Sequence, residues 1–486
     1  MHESPVALRG GEPGRVVPDL TVRPGSSRRA HVVAAGGAAM NAICRILRSL
    51  GWQVTGSDQS DSDAVDRLRA DGFDIKVGHE AAHIGDADLV VVSTAVKPGN
   101  VELDEAMRRL IPVAGRPDLM ESLGILRRVV AVSGTHGKTT TSAMATFATE
   151  QLGWNPSFIV GGVVNGFGTG VRWTESDLLV VEADESDNSF LRFHADNTIV
   201  TNIEADHLDF HGDMAHLRAA FDRFVEQGSG PSAICIDDEG CRELLDRVQA
   251  SRPDRFGVVA TYGFSDRSDY RIVNAVAEGL STRCSIRHDG NEIADLNLRV
   301  PGLHNARNAS GVFALLHRMG ADPQQTATGL ASFTGVGRRF EFRGRAKGVT
   351  FVDDYAHLPS EVSTVLAAAR AGGWARIIAV FEPHRYTRIR DVGEQFADSF
   401  VDADVAVITA LYPAGQQPIP GVSARTVFDA IRLAHPTATL HLIEDPDELD
   451  QFVRSTSHEG DLVLTMNAGQ LTELPERLLK FGGADW

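Results

Sequence analysis

The chain has 486 residues, 43% hydrophobic and 23% charged; single cores stop growing well short of that length, so two to four domains are expected. A formal net charge of −18 without a lysine or arginine stripe disfavours general nucleic-acid binding, and no apolar run approaches the length of a membrane span. There is no long apolar stretch behind a basic start, and the four cysteines lack CxxC spacing, so the expectation is a cytoplasmic protein without structural disulfides.

Residues 1–28 are rich in Pro, Gly, Arg and Ser and read as a disordered extension. From His31 onward, short apolar runs alternate with helical patterns, the signature of α/β layers. A first unit, 29–127, opens with the strand HVVAA, the pair Gly36-Gly37 and a helix whose Ile43, Ile46, Leu47 and Leu50 share one face. WQVTGSD, ending at Asp58, and DLVVVSTAV read as further strands of its sheet. A second unit, 128–336, contains VVAVSGTHGKTTT, DLLVVEADES, NTIVTNIEADH and SAICID, and a third, 337–486, contains VTFVDDYAH, ARIIAVFEPHRYTR, ADVAVITALYP and GDLVLTMNAG. Each apolar run ends in polar or glycine residues, where open α/β sheets bind ligands. The expected architecture is three consecutive α/β domains: a Rossmann-like domain, a central phosphate-loop ATPase domain and a second Rossmann-like domain.

The strongest signal is SGTHGKTTT, between an apolar strand and a helical segment ending near Leu152. Glycines let backbone N–H groups curl around phosphate, and the helix N-terminus favours its charge. Lys138 is expected on the β- and γ-phosphates and the Thr139 hydroxyl on Mg²⁺. A strict Walker A loop would have glycine where Val132 stands. Two later strands end at Glu182, in EADESD, and just before EADHLD, which holds Asp206, His207 and Asp209. Their order behind the phosphate loop favours metal binding over ordinary solvated loops.

GTHGKTT, EADESD, TNIEADHLD, PGLHNARNA, GRRFE, VDDYAHLPSE, PHRYTR and YPAGQQPIPG occur here in the order of the Mur ligases. The chain resembles that family over residues 30 to 470, and its L-alanine-adding branch in particular. The resemblance implies ATP-dependent amide formation between L-alanine and UDP-N-acetylmuramate through an acyl phosphate, with ATP as co-substrate and Mg²⁺ as cofactor. It implies that Gly134, Thr135, His136, Gly137, Lys138, Thr139 and Thr140 bind ATP, with Thr139, Glu182 and His207 around magnesium. His304 and Asn308 would contact the adenine side, and Arg339, Asp353 and His357 would reach ATP from the third domain. Arg385 and Arg388 would hold the reacting carboxylate. Gly36, Gly37 and Ala38 would meet the UDP-sugar pyrophosphate, with Asp58 and His79 near the uridine. The resemblance also implies a second metal held without the carbamylated lysine that later-acting members use, because no lysine lies between Lys138 and Lys347.

Three stretches depart from the family pattern. Its GxGGAGM loop is Ala34-Ala35-Gly36-Gly37-Ala38-Ala39-Met40 here, its DDYGHHP is DDYAHLP, and its terminal GAG is Asn467-Ala468-Gly469. Added methyl groups crowd a loop where backbone approaches pyrophosphate. A paralogue that adds a preformed peptide or another amino acid therefore stays open, as does oligomeric state. Gly36-Gly37 with Asp58 also fits a dinucleotide-dependent oxidoreductase, but hydride transfer has no use for GTHGKTT. A degenerate, purely regulatory ligase is disfavoured by the retained Lys138, Thr139, Glu182 and His207.

Overall fold

The computed structural model describes residues 17–22, 27–93, 95–255 and 257–480. Three sheets follow one another along the chain. The first contains β1 (Arg29–Val33), β2 (Gln53–Asp58), β3 (Asp74–Val77), β4 (Leu89–Val92) and β5 (Val113–Gly115), all parallel, in the order β3-β2-β1-β4-β5. The order reverses beside β1, so the loop after β1 opens at the switch point where such sheets bind ligands. The helix Ala38–Ser49 leaves that loop and buries Ile43, Ile46 and Leu47.

The second sheet contains β6 (Arg128–Ser133), β7 (Ser157–Val164), β8 (Thr169–Arg172), β9 (Leu178–Glu182), β10 (Asn197–Val200), β11 (Ser232–Cys235), β12 (Val259–Gly263), β13 (Tyr270–Glu278), β14 (Ser281–His288) and β15 (Asn291–Leu298). Its order is β15-β14-β13-β12-β11-β10-β6-β9-β7-β8. Val129 to Val132 are all fully buried, which is why β6 reads as a continuous apolar run: helices cover both faces. The edges break the parallel arrangement, because β8, β14 and β15 run antiparallel to their predecessors. The sequence carries a sign of this. Asp289-Gly290, joining β14 to β15, has φ of 49° and 79°, the left-handed pair that tight hairpins favour.

The third sheet contains β16 (Glu341–Ala346), β17 (Val349–Asp354), β18 (Ile377–Phe381), β19 (Val405–Ile408), β20 (Leu440–Leu442) and β21 (Leu462–Met466), ordered β16-β17-β21-β18-β19-β20. Only its edge strand β16 is antiparallel. Among the described residues, no helix is long and apolar enough to cross a membrane.

The reading of residues 1–28 as disordered needs correction at its end. Residues 1–16 and 23–26 lie outside the described residues, but Leu20 is 1% exposed, its carbonyl accepts the Trp52 indole N–H at 3.0 Å, and Ser122 donates to Pro18 O at 2.7 Å. One leucine in a short stretch without apolar periodicity gives no sign of this in the sequence, yet it packs into the core around the first domain.

Candidate active site

The phosphate loop leaves β6 and enters the helix Lys138–Gln151. Gly134 (φ 139°) and Gly137 (φ 83°) adopt backbone conformations closed to most side chains. A side chain at Gly134 would strike Thr201 and the Asn202 backbone, and one at Gly137 would sit 3.0 Å from Asn308 Oδ1. Asn202 shapes the loop from β10: its Oδ1 accepts the His136 N–H at 2.8 Å, and its carbonyl accepts the Thr135 N–H at 3.1 Å. Thr135 Oγ1 accepts the Glu204 N–H at 2.9 Å. Those amides and that hydroxyl therefore brace the loop rather than stand free. Thr140 lies in the helix's first turn.

Lys138 Nζ donates to Gly134 O (2.7 Å), Thr135 O (3.2 Å) and Glu185 Oε1 (2.9 Å). Thr139 Oγ1 donates to Glu182 Oε1 at 2.8 Å, and Glu182 Oε2 accepts the Gly161 N–H at 2.6 Å. Thr139 and Glu182 thus come together as expected for two groups sharing a magnesium ion. His207, at φ 53°, gathers instead with Asp184 and Glu185. The sequence reading passed over both of those carboxylates, although they lie inside EADESD.

Charged groups of the third domain lie close enough to act on this loop. Burial pulls the His136 imidazole down, but Glu204 and then Glu361 outweigh it, so it titrates above the ordinary histidine range. Glu361 belongs to the helix Pro359–Ala371 of the third domain. Arg388 in turn feels Asp206 of the central domain. His357 Nδ1 lies 2.8 Å from Tyr355 O, and burial holds its imidazole below the usual range. Arg388 donates to His384 Nδ1 at 2.9 Å, while Arg385 is exposed at φ 69°. His304 is half-buried, and burial with Arg307 lowers it to about 4. Asn308 stands against the phosphate loop, beside Gly137.

Several expected contacts are taken up by the protein itself. Asp353 is fully buried, its oxygens accepting from Thr465, Asn467 and Thr472. It ties β17 to β21, and both of its oxygens are engaged by those partners. Arg338 reaches inward, to Asn467 Oδ1 at 2.7 Å and to within 3.8 Å of Asp353. Arg339 lies over the Tyr355 ring at 5.3 Å.

In the first domain, the Gly36 N–H goes to Asp58 Oδ2 at 2.9 Å and the Gly37 N–H to Ala34 O at 3.3 Å. Neither is free for pyrophosphate. What remains is the N-terminus of the helix Ala38–Ser49, which has no side-chain cap and can receive an anion. Asp58 holds the loop that the helix leaves. His79 lies 3.0 Å from the fully buried Glu102, which also accepts Ser57 Oγ at 2.6 Å and lies 3.0 Å from His83 Nδ1. One nitrogen of His79 is thus committed to the core.

Family comparison agrees with this arrangement. The model described as "Mur ligase family, catalytic domain" matches residues 29–128, "Mur ligase middle domain" 132–316, and "Mur ligase, glutamate ligase domain" 338–469. The chain is 39% identical to the UDP-N-acetylmuramate–L-alanine ligase of Brucella anthropi over 464 residues, covering 93% of this chain and 97% of that one. It is also 39% identical to the enzyme of the same name from Brucella ovis, over 93% of this chain and 98% of that one. The solved UDP-N-acetylmuramate–alanine ligase of Thermotoga maritima superposes with a TM-score of 0.78 at 27% identity, covering 93% and 98% of the two chains. A murein peptide ligase from Psychrobacter arcticus shares the fold, with a TM-score of 0.65 at 24% identity over 94% of this chain and 99% of that one. With all three domains matched in order, and relatives at this identity spanning nearly its whole length, the chain belongs to the Mur ligase family.

Proposed function

We infer that this chain joins L-alanine to the carboxylate of UDP-N-acetylmuramate at the expense of ATP, a step in building peptidoglycan precursor in the cytoplasm. The observation that carries the reading is the phosphate loop with Lys138 and the paired Thr139 and Glu182, together with Arg388 of the third domain in the field of Asp206 of the central domain. A carboxylate does not react with an amine in water, because oxide is a hopeless leaving group. Phosphorylation makes it an acyl phosphate, from which phosphate departs when the amine attacks. The first step brings a carboxylate against a triphosphate, so the protein's task is positioning and charge compensation. Lys138 is placed to swing from Glu185 onto the phosphates, and the two arginines face the reacting carboxylate. Closure of the third domain over the loop excludes water that would hydrolyse the intermediate.

Thr139 Oγ1 and Glu182 Oε1, 2.8 Å apart, are hard oxygen donors that fit Mg²⁺. The ion would neutralise charge on the β- and γ-phosphates. The UDP-sugar is assigned to the uncapped helix at Ala38 and the Asp58 loop. Domain divisions near 128 and 337 follow the gaps between the three sheets.

The reaction is tested with UDP-N-acetylmuramate carrying heavy oxygen in its carboxylate. One labelled oxygen is expected in inorganic phosphate for each amide formed, and unlabelled phosphate after full turnover excludes the acyl phosphate. ADP release with L-alanine, glycine, L-serine and a tripeptide fixes the second substrate. Preference for the tripeptide would replace this reading with that of a peptide-adding paralogue.

A further inference from the structure

The buried Glu102 carboxylate gathers side chains from β1, β2 and the loop after β3. Its Oε2 accepts the Ser57 hydroxyl at 2.6 Å, and it lies 3.0 Å from His79 Nδ1 and 3.7 Å from His31 Nε2. The Ser57 oxygen itself lies 3.2 Å from His79 Nδ1. Burial raises the Glu102 carboxyl, but His31, Ser57 and then His79 outweigh burial and bring it to about 2. At neutral pH it is therefore a pure acceptor. The Ser57 proton is already spent on Glu102, so both oxygens that face His79 Nδ1 can only accept. The partner of one ring nitrogen decides which nitrogen carries the proton. A neutral His79 is accordingly protonated at Nδ1 and has a lone pair at Nε2.

That Nε2 is the part of His79 within reach of a ligand. The side chain is 20% exposed, its Nδ1 faces the core, and Nε2 has no partner among the described residues. The Gly78 N–H donates to Asp58 O at 2.8 Å, which pins the loop carrying His79 to the end of β2. In doubly wound sheets a nucleotide runs from the helix N-terminus across the end of the second strand, with its ribose beside the acidic residue there. The base then lies farther out, over the end of β3, which is where His79 stands.

We propose that Glu102 is a positioning residue for base selection: by keeping the proton on His79 Nδ1, it presents the Nε2 lone pair to the imide N–H of a uracil base. Cytosine carries a lone pair at that same ring position, so two acceptors would meet and neither would be satisfied. The protein thus selects its nucleotide by rejecting the wrong base as well as by holding the right one. This inference rests on the assignment of the sugar nucleotide to the first domain; the choice of base as such requires neither ATP nor amide formation.

The test uses the full chain with UDP and CDP as probes, at a pH about two units above the ordinary histidine value, where an unperturbed imidazole is neutral. Nitrogen-15 NMR should show His79 protonated at Nδ1 and bare at Nε2. Calorimetry should find UDP bound at least about tenfold more tightly than CDP, the cost of an unmet hydrogen bond. His79→Phe keeps a flat ring without nitrogens and should bring that ratio to about one. Glu102→Gln offers an amide N–H to Nδ1, so it should populate the Nε2–H form and shrink the preference for UDP. If Glu102→Gln fails to fold, the spectrum of the unsubstituted protein and the His79→Phe ratio carry the test. A proton on Nε2 in the unsubstituted protein overturns the proposal, as does a UDP-to-CDP ratio that His79→Phe leaves unmoved. Amide formation alongside equal affinity for UDP and CDP removes only the base selection, whereas a His79-dependent preference for UDP in a protein that makes no amide removes only the ligase reading.

Discussion

The Arg388 guanidinium donates to His384 Nδ1 across 2.9 Å, which fixes His384 with that nitrogen unprotonated. Burial, then the charges of Arg388 and Arg385, push the imidazole down to about 4. At neutral pH it is an uncharged ring stacked on Tyr412, 5.6 Å between centroids. Arg388→Ala is expected to slow turnover on the order of a hundredfold, as loss of a preorganised charge contact does. The same change should raise the His384 titration midpoint, followed by NMR, because a repelling cation is gone. An unmoved midpoint would show that the two residues are not coupled.

Arg385 tests the facing arginine separately. Its φ of 69° lies in the left-handed region, where a side chain costs roughly 1–2 kcal/mol. Arg385→Gly should therefore leave the melting temperature unchanged or higher while turnover drops steeply. An active Arg385→Gly protein would remove the guanidinium from the reaction.

Lys138→Ala should lower ADP release at least about a hundredfold. It also strips Glu185 of its ion-pair partner, and breaking a buried pair on one side is costly. Burial already holds the Glu185 carboxyl above the usual range against the pull of Lys138. The double variant Lys138→Ala, Glu185→Gln is therefore expected to melt above Lys138→Ala alone, while both stay inactive. Thermal unfolding of the pair checks this.

The drifted loop in the first domain contains two unequal alanines. Ala34 sits at φ 64°, so Ala34→Gly releases strain, and after glycine's own entropic cost a gain of up to ~1 kcal/mol is expected. Ala39 lies inside the helix Ala38–Ser49, where glycine costs ~0.5–1 kcal/mol. Calorimetry should find tighter UDP-N-acetylmuramate binding for Ala34→Gly only. Equal gains at both positions would show that strain at Ala34 is not what limits affinity.

Acid stability reports on Glu102. Burial would raise its carboxyl, but His31, Ser57 and His79 outweigh burial and bring it to about 2. A depressed folded-state value means that the stabilisation is present above the ordinary glutamate range. It is lost as pH falls from that range toward about 2. Glu102→Gln should destabilise the protein at neutral pH and flatten its melting temperature against pH across that acid window. An unchanged acid slope would place the sensitivity elsewhere.

The order of domains and the phosphate loop were legible in the sequence because each rests on local rules. Val129 to Val132 must be buried on both faces, and a glycine loop ahead of Lys138 has few uses other than phosphate. The helix face of Ile43, Ile46 and Leu47 is equally local, fixed by a 3.6-residue period. Tertiary structure alone decided which polar groups remain for ligands. Asp353 and Asp58 resemble site carboxylates in sequence, yet strand pairing sets Thr465 and Asn467 against the first and the Gly36 amide against the second. Arg338 and Arg339 are indistinguishable as neighbours until a left-handed turn at Arg338 (φ 59°) sends one inward. The partnership of Lys138 with Glu185, 47 residues apart, likewise exists only once β6 and β9 lie side by side. A sequence specifies which groups a chain possesses and what its near neighbours favour; which of those groups are spent on one another is settled by contacts between residues far apart in the chain, and the site consists of those left over.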